Sequence, residues 1–321
     1  MEYNILGRTG VKVSKISLGT WSFGSGNHSA AGDSVGWANQ SDQDSLNVLK
    51  QAWQNGINHW DTADVYGRGR SEALIGEVWS EIPRNEIFIA TKVGWDKGQY
   101  DMFYHPKLIQ QKFDASLKNL KSDFVDLYYF HHCHFGDSES VLDDALDLFN
   151  RFREAGKVRF IGLSDWNMSL VMDHIDSINP DVVQPYRNVM DDDYVASGLK
   201  DWIDRYNAGI AYFSPLKHGL LTGKYTTPPT FEEGDFRLNV KEFQDPDLIK
   251  KLQENRTALE RHFKDHPEPV LHGLIDALLV DSPTGCVLLG QRNSKQAASA
   301  TSIGQALSAD DAAWVKSLFK K

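Results

Sequence analysis

Short apolar runs alternate along most of this chain with longer segments in which apolar residues recur every three or four positions. A short apolar run bounded by turn residues is typical of a buried strand, and the longer spacing is typical of an amphipathic helix. The alternation starts at the run ISLGT, which we interpret as the first strand. We predict the other strands near 57–61 and at 87–92, 125–131, 158–163, 182–185, 209–213 and 286–289. We predict helices at 44–54, 71–80, 106–120, 140–155, 168–176, 194–207, 270–281 and 294–306, and one more from Pro246 onward.

Counted from ISLGT, the pattern has eight strands, each followed by a helix. Eight such units in a chain of 321 residues predict an α/β protein of the (β/α)8 TIM barrel type, whose strands are apolar on both faces because helices cover the outside. The runs FIAT, FVDLYYF, VRFIGL and GCVLLG fit that expectation. A doubly wound sheet is the main alternative, but it needs a glycine-rich phosphate turn after its first strand, and no GxGxxG follows ISLGT. No interior linker is visible, so we expect a single domain over residues 1–321.

Three segments lie outside the repeat. Residues 2–14 hold two short apolar runs around Gly7 and Gly10, which predict a β-hairpin that plugs part of the barrel. Residues 21–40 are rich in Gly, Ser and Asn and predict a long loop, and residues 226–244 form an irregular polar stretch. The helix from Pro246 onward adds to the expected barrel, which therefore carries extra helices near the C-terminus.

Composition narrows the class of partner. The formal net charge is −10, and Lys and Arg residues are scattered, so we expect no nucleic acid partner. No stretch approaches the roughly 20 apolar residues of a membrane-spanning helix, and the first residues, MEYNILGRTG, do not have the pattern of a signal peptide. We therefore expect no membrane partner and a cytoplasmic location. Cys133 and Cys286 are too few for a disulfide framework, which fits a reducing compartment.

Four ionisable residues stand where consecutive predicted strands end. Asp61 ends strand 2 and Tyr66 follows it on a turn flanked by glycine, while Lys92 ends strand 3 and His131 ends strand 4. Alone, such an Asp is usually a helix cap, such a Tyr packs and such a Lys is solvated. In a barrel, however, all strands open on the same face, so the four side chains are expected to meet. We predict a site in which Tyr66 exchanges a proton, the Lys92 cation stabilises its phenolate, Asp61 compensates that cation, and His131 donates a hydrogen bond to a substrate oxygen.

The segment HHCH, His131 to His134, allows a second interpretation as a metal site, because imidazole and thiolate are zinc ligands. Adjacent residues at a strand end point in different directions, and no spaced pair of partner ligands exists. We therefore expect one catalytic histidine followed by a solvated loop, and no metal.

Aromatic residues cluster in the predicted loops after strands 1 and 3. These residues either pack the loops or wall an apolar substrate pocket, and they are Trp21, Phe23, Trp37, Trp95 and Tyr100. The stretch 226–244, with Lys224 just before it and Arg237 within it, is interpreted as a loop that covers a cofactor, the alternative being a plain surface insertion.

The chain resembles the aldo-keto reductases from GRTGVKVSKISLGTW to LGQRNSKQ, nearly its whole length. The motifs that carry the resemblance are WDTADVYGRGRSEALIG, ATKVG, DLYYFHH, VRFIGLSDW, VQPYRN and FSPLKHGLLTGKY. The resemblance implies a (β/α)8 barrel with a nicotinamide cofactor and a catalytic tetrad of Asp61, Tyr66, Lys92 and His131. It also implies the cofactor-binding residues Gly19, Thr20, Trp21, Asp61, Ser164, Asp165, Gln184, Phe213, Ser214, Leu216, Gly219, Leu221, Lys224, Gly290, Arg292 and Gln296. Of these, Gln184 would bond the carboxamide, Phe213 would stack on the nicotinamide, and Gly219 to Leu221 would line the pyrophosphate.

The chain departs from the family pattern at two places. Asp165 stands where the family commonly has Asn, and Ser299 and Ala300 stand where it commonly has Glu-Asn, so contacts to the carboxamide and to the adenine differ here.

The resemblance implies an oxidoreductase that transfers hydride between the cofactor and an aldehyde or ketone, or the corresponding alcohol. Arg292 and Lys295 flank the turn where the family holds the adenosine ribose, so we expect NADP(H) to bind better than NAD(H). The long-loop form also resembles the β subunits of voltage-gated potassium channels, so a cofactor-sensing regulatory subunit is the alternative. A start directly at the predicted hairpin favours the enzyme.

Overall fold

The computed structural model describes residues 1–25, 28–30, 33–35, 37–136 and 139–320. Within these ranges the strands are β1 (Tyr3–Ile5), β2 (Lys12–Ser14), β3 (Ile16–Gly19), β4 (His28–Ala30), β5 (Asp33–Val35), β6 (His59–Asp61), β7 (Phe88–Val93), β8 (Val125–Phe130), β9 (Val158–Asp165), β10 (Val182–Pro185), β11 (Gly209–Tyr212) and β12 (Gly285–Gly290). The helices are α1 (Asp42–Gln54), α2 (Arg70–Glu77), α3 (Pro106–Leu120), α4 (Glu139–Glu154), α5 (Met168–Ile178), α6 (Leu199–Tyr206), α7 (Pro246–His262), α8 (Pro269–Leu271), α9 (Ser294–Ser299) and α10 (Ala309–Phe319).

Eight parallel strands close into a barrel in the order β3, β6, β7, β8, β9, β10, β11 and β12, and β12 pairs with β3. Every residue of β7 and of β8 is buried, because the barrel interior lies on one side and the helices lie on the other. The (β/α)8 TIM barrel predicted from the alternating pattern is therefore confirmed.

The N-terminal hairpin closes one end of the barrel. Strands β1 and β2 pair antiparallel, and the side chains of Leu6 and Val13 are fully buried against residues of the barrel interior. Gly7 has φ +48°, and a β-carbon there would lie 2.3 Å from the carbonyl carbon of Ala208, so only glycine allows this approach. Gly209, which begins β11, also packs on Leu6, so the hairpin plugs the end at which the strands begin.

Four predicted helices are shorter in the structure than the apolar pattern suggested. The helix predicted at 71–80 ends at Glu77 and continues as a 3₁₀ turn, Val78–Ser80. The helix predicted at 194–207 begins only at Leu199, because Gly198 has φ +85° and interrupts the helical backbone. The segment predicted as helix 270–281 is the short α8 followed by a π-helical turn, His272–Asp276. The helix predicted at 294–306 ends at Ser299 and continues as a 3₁₀ turn, Ala300–Ser302.

Three regular elements, β4, β5 and α10, were not located from the sequence. Strands β4 and β5 pair antiparallel within the segment predicted as a loop, where three-residue strands rich in polar residues have no apolar alternation to reveal them. Helix α10 lies beyond the last helix predicted, and the hydroxyl of Ser308 caps it by accepting a hydrogen bond from the backbone of Asp311. None of the described helices is long and apolar enough to cross a membrane.

Candidate active site

The four ionisable residues predicted to meet do so at the end of the barrel where the strands finish. The Lys92 ammonium contacts one oxygen of the Asp61 carboxylate, donates to the carbonyl of Thr62 at 2.8 Å, and lies 3.4 Å from the phenol oxygen of Tyr66. The ring of Tyr66 meets that of His131 edge to face, with 5.8 Å between centroids. A carboxylate, an ammonium, a phenol and an imidazole therefore form one contiguous group.

A close contact between two backbone turns holds Tyr66 at this place. Gly67 has φ +63°, and a β-carbon there would lie 2.4 Å from the carbonyl oxygen of Gly24. Gly24, at the end of the 3₁₀ turn Trp21–Gly24, is equally restricted by the backbone of Gly67. The turn after Tyr66 therefore rests directly on the loop after the first barrel strand, and any side chain at either glycine would push the phenol away.

The Asp61 and Lys92 pair is almost completely removed from water, with side chains 4% and 1% exposed. Burial lowers the pKa of Lys92 and raises the pKa of Asp61, while the attraction between the two groups opposes both shifts. The second oxygen of Asp61 accepts a hydrogen bond from the side-chain amide of Gln184 at 2.8 Å. Each partner therefore depends on the other, since a lone charge at this depth would have no compensation.

Burial raises the pKa of Tyr66 well above its usual value of 10, and the carboxylates of Asp61 and Asp64 raise it further. The loss of hydration therefore favours the neutral phenol, and the stabilisation of the phenolate by Lys92 stays a prediction for the state that follows proton transfer. Tyr66 carries its proton across the physiological pH range. Burial and the charge of Lys92 lower the pKa of His131 well below its usual value, so that imidazole is neutral.

A cavity of about 820 Å³ opens above these groups, within the usual range for ligand pockets. The predicted site residues that line it are Gly19, Thr20, Trp21, Asp61, Tyr66, His131, Ser164, Gln184, Phe213, Ser214, Leu216, Gly219, Lys224, Gly290, Arg292 and Gln296. Lys92 is not among the lining residues, but it contacts two residues that are, Asp61 and Tyr66.

Two predicted cofactor residues do not line the cavity. The carboxylate of Asp165 accepts hydrogen bonds from the backbone N–H groups of Cys133 and Asn167, both at 2.7 Å, and so orders the loops after β8 and β9. The side chain of Leu221 is fully buried, and its N–H donates to the carbonyl of Leu216 at 3.2 Å. Both residues shape the cavity wall from behind.

The cavity wall fits a phosphate-containing cofactor. The Ser214 hydroxyl is buried without a hydrogen-bond partner in the described part of the chain, and Ser214 itself has φ +58°. A β-carbon on Gly290 would meet nothing within 4 Å, so the end of β12 faces open space. Lys224 and Arg292 bring cations to the same cavity. A hydroxyl without a partner, backbone that no side chain covers, and two cations together suit the phosphates of a dinucleotide.

The polar stretch 226–244 borders the cavity at Phe236 and contacts the loop after β3. The Trp37 ring lies between two guanidinium groups, with 4.4 Å to Arg237 and 5.1 Å to Arg292. The side-chain amide of Asn39 donates to the carboxylate of Glu232 at 2.7 Å. Phe236, within the same stretch, lines the cavity, and the role of the stretch as a cofactor-covering loop stays a prediction.

The HHCH segment is not the solvated loop that we expected after His131, because His132 and Cys133 are buried. One ring nitrogen of His132 lies 2.7 Å from the carbonyl of Gly94, and the other accepts from the backbone of His134 at 3.0 Å. Burial raises the pKa of the Cys133 thiol beyond its usual range. Among the residues described, no three His, Cys, Asp or Glu side chains are arranged to hold a metal ion.

The aromatic residues of the loops divide between the two roles considered. Trp21, Trp37 and Trp95 line the cavity, whereas Phe23 is fully buried and Tyr100 stacks on His105 at 4.0 Å. Further lining residues that the sequence reasoning missed are Trp166, His218, Phe236 and Glu268. Trp166 follows β9 by one residue, so its place after a strand could have identified it. Glu268 gives no such signal, because it lies far from any barrel strand in sequence.

Comparison with known proteins gives a consistent result. The model of the aldo/keto reductase family matches residues 15–319. The chain is 30% identical to an aldo-keto reductase of Bacillus subtilis, over 97% of this chain and 91% of that protein. It is also 30% identical to a probable voltage-gated potassium channel subunit beta of Arabidopsis thaliana, over 78% of this chain and 74% of that protein. The structure of a glycerol dehydrogenase of Gluconobacter oxydans superimposes with a TM-score of 0.80 at 25% identity, covering 98% of this chain and 94% of that one.

Proposed function

The chain belongs to the aldo/keto reductase family and is an oxidoreductase, and from that premise we propose that it transfers hydride between NADP(H) and an aldehyde or ketone in the cytoplasm, with Tyr66 as the general acid. The observation that carries this proposal is the protonated phenol of Tyr66 at the cavity wall, 3.4 Å from a buried ammonium. A proton donor at a cavity needs such a cation, because proton transfer leaves a phenolate behind.

Each residue of the tetrad has one task in this proposal. Tyr66 donates its proton to the carbonyl oxygen of the substrate, and the Lys92 ammonium stabilises the phenolate that remains. Asp61 keeps Lys92 charged and in position, and Gln184 holds the second oxygen of Asp61. The neutral imidazole of His131 adds a hydrogen bond at the substrate oxygen. The nicotinamide cofactor supplies the hydride when it is bound, and oxidation of an alcohol uses the same groups in reverse.

The preference for NADP(H) over NAD(H) is proposed from the charge around Arg292. Its guanidinium donates to neutral acceptors, the carbonyl of Ala38 at 2.8 Å and the side-chain oxygen of Gln40 at 3.1 Å. Burial lowers the pKa of Arg292, and the nearby Arg237 lowers it further. Arg237, in contrast, has its own carboxylate in Asp235. A 2′-phosphate would therefore provide the counter-charge that Arg292 lacks in the described part of the chain.

The direct test is to follow the oxidation of NADPH by the purified protein in the presence of a panel of aliphatic and aromatic aldehydes. The proposal predicts loss of the reduced nicotinamide absorbance with at least some of them, and a slower loss with NADH at equal concentration. Absence of turnover with every aldehyde, ketone and alcohol tried, in protein that binds NADPH, would contradict it.

That same negative result would support the alternative. The similarity to a potassium channel β subunit motivates it, because a regulatory subunit could use the same cavity to sense the cofactor without turning over a substrate. Binding of NADPH with no carbonyl reduction distinguishes this role from that of an enzyme.

A further inference from the structure

Glu268 lines the same cavity as Tyr66 and His131, although it lies far from both in sequence. Glu268 lies immediately before α8, and one oxygen of its carboxylate accepts a hydrogen bond from the hydroxyl of Ser299 at 2.6 Å. Ser299 ends α9 and also lines the cavity. No salt bridge to Glu268 occurs among the residues that the structure describes. Its carboxylate therefore retains acceptor capacity toward the cavity.

The backbone around Glu268 is held on both sides. Its N–H donates to a ring nitrogen of His266 at 3.0 Å, and its carbonyl accepts from the N–H of His272 at 2.9 Å. The hydroxyl of Ser299 fixes the far end of the side chain. An acceptor with three such attachments keeps its direction without a ligand, which lowers the entropic cost of binding one.

The neighbours of Glu268 along the cavity wall are apolar. Pro267, Pro269, Val270 and Leu271 line the same cavity. Arg292 lines it from the turn after β12, and Gln296 lines it from α9. An apolar wall suits the face of a planar heterocycle, and a single carboxylate suits a hydrogen-bond donor on the edge of that heterocycle. The chemistry matches a purine that carries an exocyclic amino group.

We propose that Glu268, oriented by Ser299, recognises the exocyclic amino group of the adenine of the nicotinamide cofactor. This inference rests on the proposed use of that cofactor. The corresponding helix has Ser299 and Ala300 where the resemblance leads one to expect Glu-Asn, so the carboxylate in this chain comes from a different element, the connection between α7 and α8. Glu268 therefore contributes to affinity for both NADPH and NADH, since both carry adenine.

If Glu268 accepts from the amino group, the protein should prefer adenine to hypoxanthine, which a nonspecific contact would not do. When hypoxanthine replaces adenine, a carbonyl oxygen takes the place of the amino group, and the carboxylate of Glu268 would then face another acceptor. Wild type should bind reduced nicotinamide hypoxanthine dinucleotide roughly 10-fold to 100-fold more weakly than NADH, because two acceptors cannot satisfy each other. The variant Glu268→Gln presents a donor as well as an acceptor, so it should lose most of this preference.

The experiment is a fluorescence titration of both reduced dinucleotides against wild type, Glu268→Gln, Ser299→Ala and the control Glu254→Gln. Glu254 lies exposed on α7 and receives the same chemical change. We expect Glu268→Gln to bind NADH more weakly and the hypoxanthine analogue at least as well as wild type. We expect Ser299→Ala to weaken NADH binding a few-fold, and Glu254→Gln to behave as wild type.

The inference is overturned if Glu268→Gln keeps the wild-type ratio of the two dissociation constants, or if wild type binds both dinucleotides equally. A wild type that binds neither dinucleotide, nor NADPH, would instead contradict the proposed function. Arg292→Ala adds a further control. It should change the ratio of the dissociation constants of NADPH and NADH, and it should leave the ratio for NADH and its hypoxanthine analogue unchanged.

Discussion

Two cations are fully buried near the ends of barrel strands, and their surroundings differ. Arg187 follows β10, and its guanidinium forms salt bridges with Asp192 and Asp281 while lying 4.4 Å and 4.6 Å from the rings of Tyr194 and Tyr212. Lys92 has one carboxylate, one carbonyl and the phenol of Tyr66. The carboxylates of Asp281 and Asp192, which accept hydrogen bonds from Arg187, help to raise its pKa above the usual value, whereas burial lowers the pKa of Lys92.

Under the proposed function, the difference separates a cation that stabilises the fold from one that takes part in catalysis. Arg187 joins the end of β10 to residues before β12, and Lys316 of α10 approaches the same carboxylate of Asp192 at 2.8 Å. Two acids compensate the guanidinium, and its position is held from several sides. Lys92 has the single carboxylate of Asp61 as its compensation, and it keeps a contact with the phenol of Tyr66. The first arrangement stabilises the fold, and the second leaves a charge available for chemistry.

The largest effect should follow Lys92→Met. We expect the rate of carbonyl reduction to fall by roughly 10³-fold, because the phenolate of Tyr66 loses its cation. We also expect a loss of about 3–5 kcal/mol in the free energy of unfolding, because Asp61 is left buried without its partner. Turnover assays and denaturant titrations measure the two losses. A variant that unfolds at the wild-type denaturant concentration would show that the buried pair does not stabilise the fold.

Arg187→Met should give the opposite profile. Two carboxylates, Asp192 and Asp281, would lose their common cation, and we expect a loss of about 3–5 kcal/mol in the free energy of unfolding. Well below the melting temperature, turnover should stay within a few-fold of wild type, since Arg187 touches no cavity residue that we assign to catalysis. Arg187→Lys is the matched control. It should lose less stability than Arg187→Met, because it keeps the positive charge and loses only the planar guanidinium that bonds both carboxylates. Abolished turnover in folded protein would remove the distinction between the two cations.

His59, inside the barrel, extends the comparison to acid pH. Burial lowers its pKa to about 3, and the charge of Lys92 contributes to the shift. The unfolded chain takes up a proton near pH 6.5 while the folded one does not, so this contribution to stability is present above pH 6.5 and is lost as the pH falls toward 3. We expect a slope of about 1.4 kcal/mol per pH unit within that window.

The slope is measured as the difference in unfolding free energy between wild type and His59→Gln across the pH range. When both proteins also carry Lys92→Met, the difference between them should be smaller, because the charge of Lys92 no longer lowers the pKa of His59. Equal pH dependence of wild type and His59→Gln would contradict the assignment of this slope to His59.

The smallest effect concerns Arg292, a half-buried cation with neutral partners. We expect Arg292→Ala to weaken NADPH binding by roughly 10-fold and NADH binding much less, since only NADPH carries a 2′-phosphate. A fluorescence titration gives the dissociation constants of NADPH and NADH for wild type and variant, and hence the weakening of each cofactor. Equal weakening of both, or a wild type without preference for NADPH, would remove Arg292 as the determinant.

Much of the fold could be predicted from the sequence, because buried parallel strands appear as apolar runs and helices as spaced apolar positions. The tetrad could be predicted too, since a barrel brings all strand ends to one face and Asp61, Lys92 and His131 each stand at such an end. The boundary at Gly198 was missed because the apolar spacing continues through it, and only the left-handed backbone reveals the break.

The remaining features depend on contacts between distant residues. Arg187 and Asp281 are 94 positions apart, and nothing local in the sequence indicates that they meet. The same holds for Glu268 and Ser299, which come together only because α8 and α9 border one cavity. The pKa of Tyr66 was expected to fall beside Lys92, but it rises, because the degree of burial cannot be read from a list of neighbours.

The most direct test of the central claim compares Tyr66→Phe with wild type, measuring the single-turnover reduction of benzaldehyde and the dissociation constant of NADPH on the same preparations. The account predicts that reduction slows by at least roughly 10²-fold, while the NADPH dissociation constant changes only a few-fold, because the variant lacks the proton donor and keeps the cavity. Reduction at the wild-type rate, or equal losses of cofactor binding and turnover, would contradict the assignment of Tyr66 as the general acid.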